Sequence, residues 1–158
     1  MKTLEYGQVA PNFKLQNQNE EDVSLSDFKG KKNVLIYFYP KAMTPGCTTQ
    51  SIGLSNISKE LDELNTVVLG ISPDNTKRLK KFEARDELTI QLLSDESHEI
   101  ADMYGVLGEK KFMGRIYDGI HRISFLIDTD GNIKHVFNKF KTKDHHSVVL
   151  EYLKSIIN

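Results

Sequence analysis

Two runs of the chain are apolar without interruption. Val34-Leu-Ile-Tyr-Phe-Tyr39 and Thr66-Val-Val-Leu-Gly-Ile71 have the pattern of strands buried on both faces. Pro40 ends the first because it has no N–H to give to a ladder. Elsewhere the apolar positions are periodic. Leu54, Ile57, Leu61 and Leu64 form one stripe and predict a helix over 48–64. Leu79 and Phe82 predict a second over 76–87, entered through the turn Pro73-Asp-Asn75. A third, over 145–157, follows Asp144 as cap and is expected to bury Val149, Tyr152, Leu153 and Ile156.

Shorter elements fill the gaps. Phe13-Lys-Leu15 and Val23-Ser-Leu25 flank a polar turn and predict a hairpin before the first core strand. Leu92-Leu93 ends a short strand. Ser97 is expected to cap a helix that runs through Tyr104 and stops at Gly105. Residues 105–120 carry four glycines and predict a long loop. Arg122-Ile-Ser-Phe-Leu-Ile127 and Ile133-Lys-His-Val-Phe137 enclose Asp128-Thr-Asp-Gly-Asn132, a hairpin signal. Two βα units followed by β-β-α give an α/β domain over 1–158. The expected architecture is a thioredoxin-like fold, a central mixed β-sheet flanked by helices, with the N-terminal hairpin as an extension.

Composition narrows the function. Acids and bases are interleaved to a formal net charge of -1, so no field attracts nucleic acid or an anionic membrane surface. No apolar run approaches eighteen residues, and the first seven have no apolar core. The expectation is therefore a chain with neither signal peptide nor membrane span. A single cysteine points to the reducing cytoplasm, where a lone thiol stays available.

That cysteine, Cys47, carries the candidate chemistry. It stands between the first core strand and the helix after it, where unpaired backbone N–H groups and the helix dipole favour negative charge. Free cysteine is among the most buried residue types, so a plain core residue is the competing reading. The helical wheel turns Cys47 toward the apolar stripe, one turn before helical residues cover it. It is expected at the mouth of the core, partly sheltered. Thr44 can bring a hydroxyl beside the sulfur, or simply make a local turn bond. Arg122 opens an otherwise apolar strand, where a guanidinium either finds an anion or stays exposed at the strand end.

Other patterns carry less. Asp128-x-Asp130-x-Asn132 imitates a calcium loop but has Ile133 and Lys139 where the loop needs glycine and glutamate. His145 and His146 are adjacent and cannot converge on one metal, so solvated helix-start residues are expected. Phosphate-cradling glycine motifs are absent. A Cys–His hydrolase would need a histidine near Cys47, and His121 alternates to the face opposite Arg122. A thioredoxin-type reductase would need Cys-x-x-Cys.

The string Tyr37-Phe-Tyr-Pro40-Lys-Ala-Met-Thr44-Pro-Gly-Cys47-Thr48 resembles the peroxidatic motif of the peroxiredoxins, in particular the peroxiredoxin Q branch, the bacterioferritin comigratory proteins. The similarity continues through Val9-Ala-Pro-Asn-Phe13, Leu69-Gly-Ile-Ser72, Leu93-Ser-Asp95, Tyr117 to Asp128, and Phe140-Lys-Thr142. It implies a thiol-dependent peroxidase for hydrogen peroxide and organic hydroperoxides, with no metal or organic cofactor. Cys47 would attack the peroxide and become a sulfenic acid. Thr44 would hydrogen-bond thiolate and peroxide, Arg122 would polarise the peroxide, and Pro40 would shield the sulfur. The resemblance leans toward a monomer.

One departure stands out. Many members of the branch carry a second cysteine five residues after the first, and here that position is Ile52. Five helical residues rise about 7.5 Å, near the limit of ~7 Å for a disulfide between Cα atoms. Members using the pair must therefore unwind the helix. This chain needs an external thiol: thioredoxin, glutaredoxin or glutathione. The rival reading is a non-enzymatic sensor whose oxidised Cys47 forms a mixed disulfide with a signalling partner.

Overall fold

The computed structural model describes residues 1–157. Its centre is a seven-stranded mixed sheet. β3 (Asn33–Phe38), β4 (Thr66–Ser72) and β5 (Gln91–Ser94) run parallel, with β4 in the middle. On the far side of β3, β8 (Ser124–Ile127) and then β9 (Ile133–Phe137) add antiparallel. The predicted N-terminal hairpin is present as β1 (Lys14–Asn17) and β2 (Asp22–Ser24), joined to the other edge through β5. The order is thus β2-β1-β5-β4-β3-β8-β9.

Strand β3 explains why both faces are covered. Its even residues Val34, Ile36 and Phe38 enter a core with Phe13, Tyr104 and Phe125. Leu35 and Tyr37, followed by Tyr39, enter the opposite core with Cys47, Leu54, Leu61, Phe82 and Leu153. Alternation on a strand with two apolar faces reads as a continuous run, which is why periodicity alone could not orient it. The second core is roofed by α1 (Pro45–Asn56), α2 (Ser58–Glu63), α3 (Thr76–Asp86) and α5 (His145–Ile157). The predicted helix 48–64 starts earlier and is broken at Ile57 (φ -105°, ψ 8°). Ser58 Oγ donates to the Ser55 carbonyl at 2.8 Å, a local bond that competes with helix continuation.

Several expectations change. Residues 105–120 are not a loop. They form a hairpin of β6 (Leu107–Phe112) and β7 (Arg115–Ile120) outside the main sheet. Its two-residue turn, Met113-Gly114, has positive φ at both positions, as a hairpin twist requires. The short helix α4 (Glu99–Met103) is capped mainly by the Asp95 carboxylate, which accepts from Ile100 and Ala101 N–H, while the expected Ser97 contributes a long bond, its Oγ accepting from Glu99 N–H at 3.4 Å. Ile156 is 43% exposed instead of buried. His145 is the reverse case: expected in solvent, it is fully buried with Nε2 2.8 Å from Ser124 Oγ. The acidic turn Asp128–Asn132 binds itself, Asp128 Oδ1 accepting from Asp130 and Asn132 N–H. No helix of the described residues is long and apolar enough to cross a membrane.

Candidate active site

Cys47 lies in the first turn of α1, whose N-cap is Thr44 and whose first residue is Pro45. Proline fits there because the first helical N–H has no acceptor in any case. The N–H groups of Gly46 and Cys47 take no partner among the described residues, while Thr48 N–H closes the turn on the Thr44 carbonyl at 2.9 Å. The sulfur therefore sits among free N–H donors at the positive end of a helix.

The sequence placed Cys47 at a partly sheltered mouth; it is 0% exposed. Tyr37 and Tyr39 stack on each other in the same core, their ring centroids 5.2 Å apart. Burial pushes both phenols well above their ordinary range, so they are neutral walls rather than acids. Tyr37 O–H and Ser51 Oγ share a hydrogen bond of 2.8 Å, which ties β3 to α1.

Of the two positions open to it, Arg122 takes the one beside the cysteine. Its Nη1 donates to Cys47 Sγ at 3.1 Å. Strand parity places it: Arg122 shares its side of the strand with Ser124 and Leu126, which face the Cys47 core, while His121 turns away with Nε2 3.2 Å from the Glu109 carbonyl oxygen. No histidine is hydrogen-bonded to the sulfur, so the hydrolase arrangement is not formed. Gly46 gives the guanidinium a close approach. A Cβ there would lie 3.0 Å from Arg122 Nη2.

Thr44 and Pro40 are half-buried in the segment leading to Cys47. The Thr44 hydroxyl is not bonded to the sulfur. It donates to the Lys41 carbonyl at 2.8 Å, which leaves its oxygen as an acceptor.

Two residues escaped the sequence reading. Gln50 is fully buried, and its Oε1 accepts from the same Arg122 Nη1 at 3.3 Å. Its position one turn after Cys47 puts both on one helix face, but only the fold reveals that the face looks onto Arg122. Lys110 reaches the same neighbourhood from β6. Burial, then the like charge of Arg122, holds its ammonium below the ordinary range, with Cys47 pulling the other way. Nothing in a segment read as a loop could have placed it. Among the described residues no cluster of histidine, cysteine and carboxylate groups could hold a metal ion.

A buried thiol at a helix N-terminus, met by an arginine from a neighbouring strand of a thioredoxin-like sheet, defines the class of cysteine peroxidases. The chain belongs to the AhpC/TSA family, whose model matches residues 6–136. A relative from Haemophilus influenzae is 61% identical over 99% of this chain and 100% of its own length, and peroxiredoxin Bcp of Escherichia coli K12 is 54% identical over 98% of each. Among solved structures, a cysteine-to-serine mutant of Xylella fastidiosa PrxQ superimposes with a TM-score of 0.92 at 28% identity, covering 100% of both chains. The chain is thus a peroxiredoxin of the Q/Bcp kind, a thiol-dependent peroxidase that lacks a second cysteine.

Proposed function

We propose that Cys47 reduces hydrogen peroxide and organic hydroperoxides through a sulfenic acid and is recycled by thiols from outside the chain. The observation that carries this reading is the 3.1 Å contact between Arg122 Nη1 and the buried Cys47 sulfur. The guanidinium holds the sulfur by a hydrogen bond and remains in place to bind a peroxide oxygen.

The thiolate attacks the terminal peroxide oxygen. An S–O bond forms, the O–O bond breaks, and the terminal oxygen keeps its hydrogen. Sulfur is oxidised to S–OH, and the departing hydroxide or alkoxide takes a proton from solvent to leave as water or alcohol. Negative charge grows on that leaving oxygen. Arg122 and the free N–H groups of Gly46 and Cys47 are fixed donors around it. Thr44 Oγ1, its proton held by Lys41, accepts the hydrogen of the peroxide and orients it. Pro40 shields the sulfur side of the cleft from water.

Recycling takes two equivalents of thiol. The first displaces hydroxide from the sulfenic acid, giving a mixed disulfide and water. The second exchanges onto the mixed disulfide, restores Cys47 and releases the oxidised reductant as a disulfide. Thioredoxin, glutaredoxin and glutathione all supply this chemistry, in the cytoplasm where they are reduced. The chain acts as a monomer in this scheme, the state toward which the resemblance to its branch leans.

Stoichiometric peroxide, followed by mass spectrometry of Cys47, tests the first half. One added oxygen is expected at micromolar peroxide, and an unchanged thiol removes the reading. Adding thioredoxin or glutathione afterwards tests the second half. Steady turnover is expected, whereas one oxidation per chain with no recycling would make Cys47 a sensor.

A further inference from the structure

Ala42, in the turn before Cys47, is fully buried, and both of its backbone polar groups are held by side chains from another element. Its N–H donates to Asp74 Oδ2 at 2.7 Å, and its carbonyl accepts from Arg78 Nη2 at 2.8 Å. Asp74 is 8% exposed and also accepts from Ser72 Oγ at 2.8 Å. Arg78 Nε stands 2.9 Å from Asp74 Oδ1, a charge contact rather than an aligned hydrogen bond. One ion pair thus grips one residue by both of its backbone polar groups. The next residue, Met43, has φ +65°, a left-handed conformation that is strained for a residue with a Cβ. Such a turn persists where its surroundings over-determine it.

The same helix holds the other flank of the cysteine. Arg85 follows Arg78 by two turns on one face of α3, and its Nη2 donates to Thr48 Oγ1 at 2.8 Å. Between the two arginines, Leu79 and Phe82 seat α3 in the core, Phe82 with its ring 6.2 Å from that of Tyr39. Helix α3 therefore clasps the chain just before and just after Cys47, without touching the sulfur.

We propose that Asp74, Arg78 and, more weakly, the exposed Arg85 are positioning residues that keep the Cys47 turn closed and so favour reaction of the Cys47 thiolate with small peroxides over attack by bulky thiols on its oxidised form. This rests on the reading of Cys47 as the peroxidatic residue. Cys47 is 0% exposed, so the closed turn must yield to any reactant; a two-oxygen substrate needs only a small opening, whereas in-line attack by a protein thiol needs room that the closed turn denies. With Ile52 in place of a second cysteine, no thiol of this chain reaches Cys47 by unwinding α1. Opening of the clasp then sets how quickly an external protein thiol completes the cycle.

The test separates the two half-reactions by rapid mixing, using Arg78→Ala, the conservative Arg78→Lys, and Thr48→Val, which removes the acceptor of Arg85. For Arg78→Ala, oxidation by hydrogen peroxide is expected to slow about tenfold, the scale of one lost charge-assisted hydrogen bond. Reduction of its sulfenic acid by thioredoxin is expected to speed up, and amide exchange at Ala42 to rise. Arg78→Lys should recover part of both changes, and Thr48→Val should show them weakly. Val149→Ala, a core truncation in α5, is the control: it lowers stability without moving the half-reactions in opposite directions. If Arg78→Ala does not fold, Arg78→Lys and Thr48→Val carry the same comparison. The clasp is refuted if the folded variants keep native rates in both half-reactions, or if Val149→Ala reproduces the opposed changes. Failure of native Cys47 to oxidise at all would instead overturn the peroxidase reading beneath it.

Discussion

Arg122 Nη1 and Cys47 Sγ meet at 3.1 Å although 75 positions separate them in the chain. The contact joins the entrance of β8 to the first turn of α1. Gly46 eases it, since a Cβ there would stand 3.0 Å from Arg122 Nη2 and push the guanidinium aside. Arg122→Ala is expected to slow peroxide oxidation of Cys47 by about 100-fold, the usual effect of removing one donor to a developing anion. Gly46→Ala should slow it less, by displacing Arg122 without deleting it. Single-turnover oxidation rates check both, and a native rate in Arg122→Ala would take the arginine out of the mechanism.

Gln50 holds the arginine from the other side, through its buried Oε1 at 3.3 Å. Gln50→Leu keeps bulk but removes the acceptor; with the guanidinium no longer braced, peroxide is expected to oxidise Cys47 roughly tenfold more slowly. Gln50→Glu should also be slow for a different reason: a carboxylate captures Arg122 as an ion pair and draws it from the sulfur. Equal rates for native, Leu and Glu chains would show that Gln50 merely fills space.

His145 predicts an acid-labile fold. Burial first, then the charge of His146, lowers its pKa from 6.5 to about 3, with Asp144 opposing. The unfolded chain takes up this proton below pH 6.5 and the folded chain does so only near pH 3. Stability from this group is therefore complete above pH 6.5 and is lost as pH falls toward about 3, by about 1.4 kcal/mol per pH unit. Urea unfolding between pH 7 and pH 5 should show this slope. His145→Gln, which can still bond Ser124, should remove one proton from it. An unchanged slope in the variant contradicts the assignment.

Ile52→Cys restores the five-residue spacing without restoring the geometry. Ile52 is half-buried in a continuous helix. About 7.5 Å of helical rise separates it from Cys47, so a disulfide can close only if α1 unwinds. After peroxide treatment the variant is expected to form the bond with loss of amide protection through the first turns of α1. A disulfide that leaves this protection intact would refute the prediction.

The sequence was most legible where burial and periodicity agree. β3, β4, α3, α5 and the N-terminal hairpin stand close to their expected limits, because apolar spacing and Pro, Gly and Asn signals mark the same boundaries. The β6–β7 hairpin was hidden. Phe112, Met113, Ile116 and Tyr117 are exposed, so no buried face marks its alternation, and a methionine occupies a left-handed turn position where asparagine would have announced a hairpin. His145 was misplaced because the charged and polar residues around it read as surface. The docking of α5 against β3 and β8 carries it into the core, beside Ser124 and Phe140.

By itself, the sequence determined that a lone thiol would stand at the start of a helix behind a buried strand, with Thr44 and Arg122 as its candidate helpers. Chain-local information suffices for the thiol and Thr44, since strand, turn and helix start are adjacent in sequence; Arg122 became a candidate through its charge at the head of an apolar strand and through the family resemblance. Only the tertiary structure decided which groups reach the sulfur. Arg122 does, Thr44 turns to the Lys41 carbonyl, Gln50 braces the arginine, and Asp74, Arg78 and Arg85 clasp the flanks of Cys47. These contacts join β8, α1 and α3, and their distances follow from strand order and the packing of helices on the sheet. No local pattern encodes those.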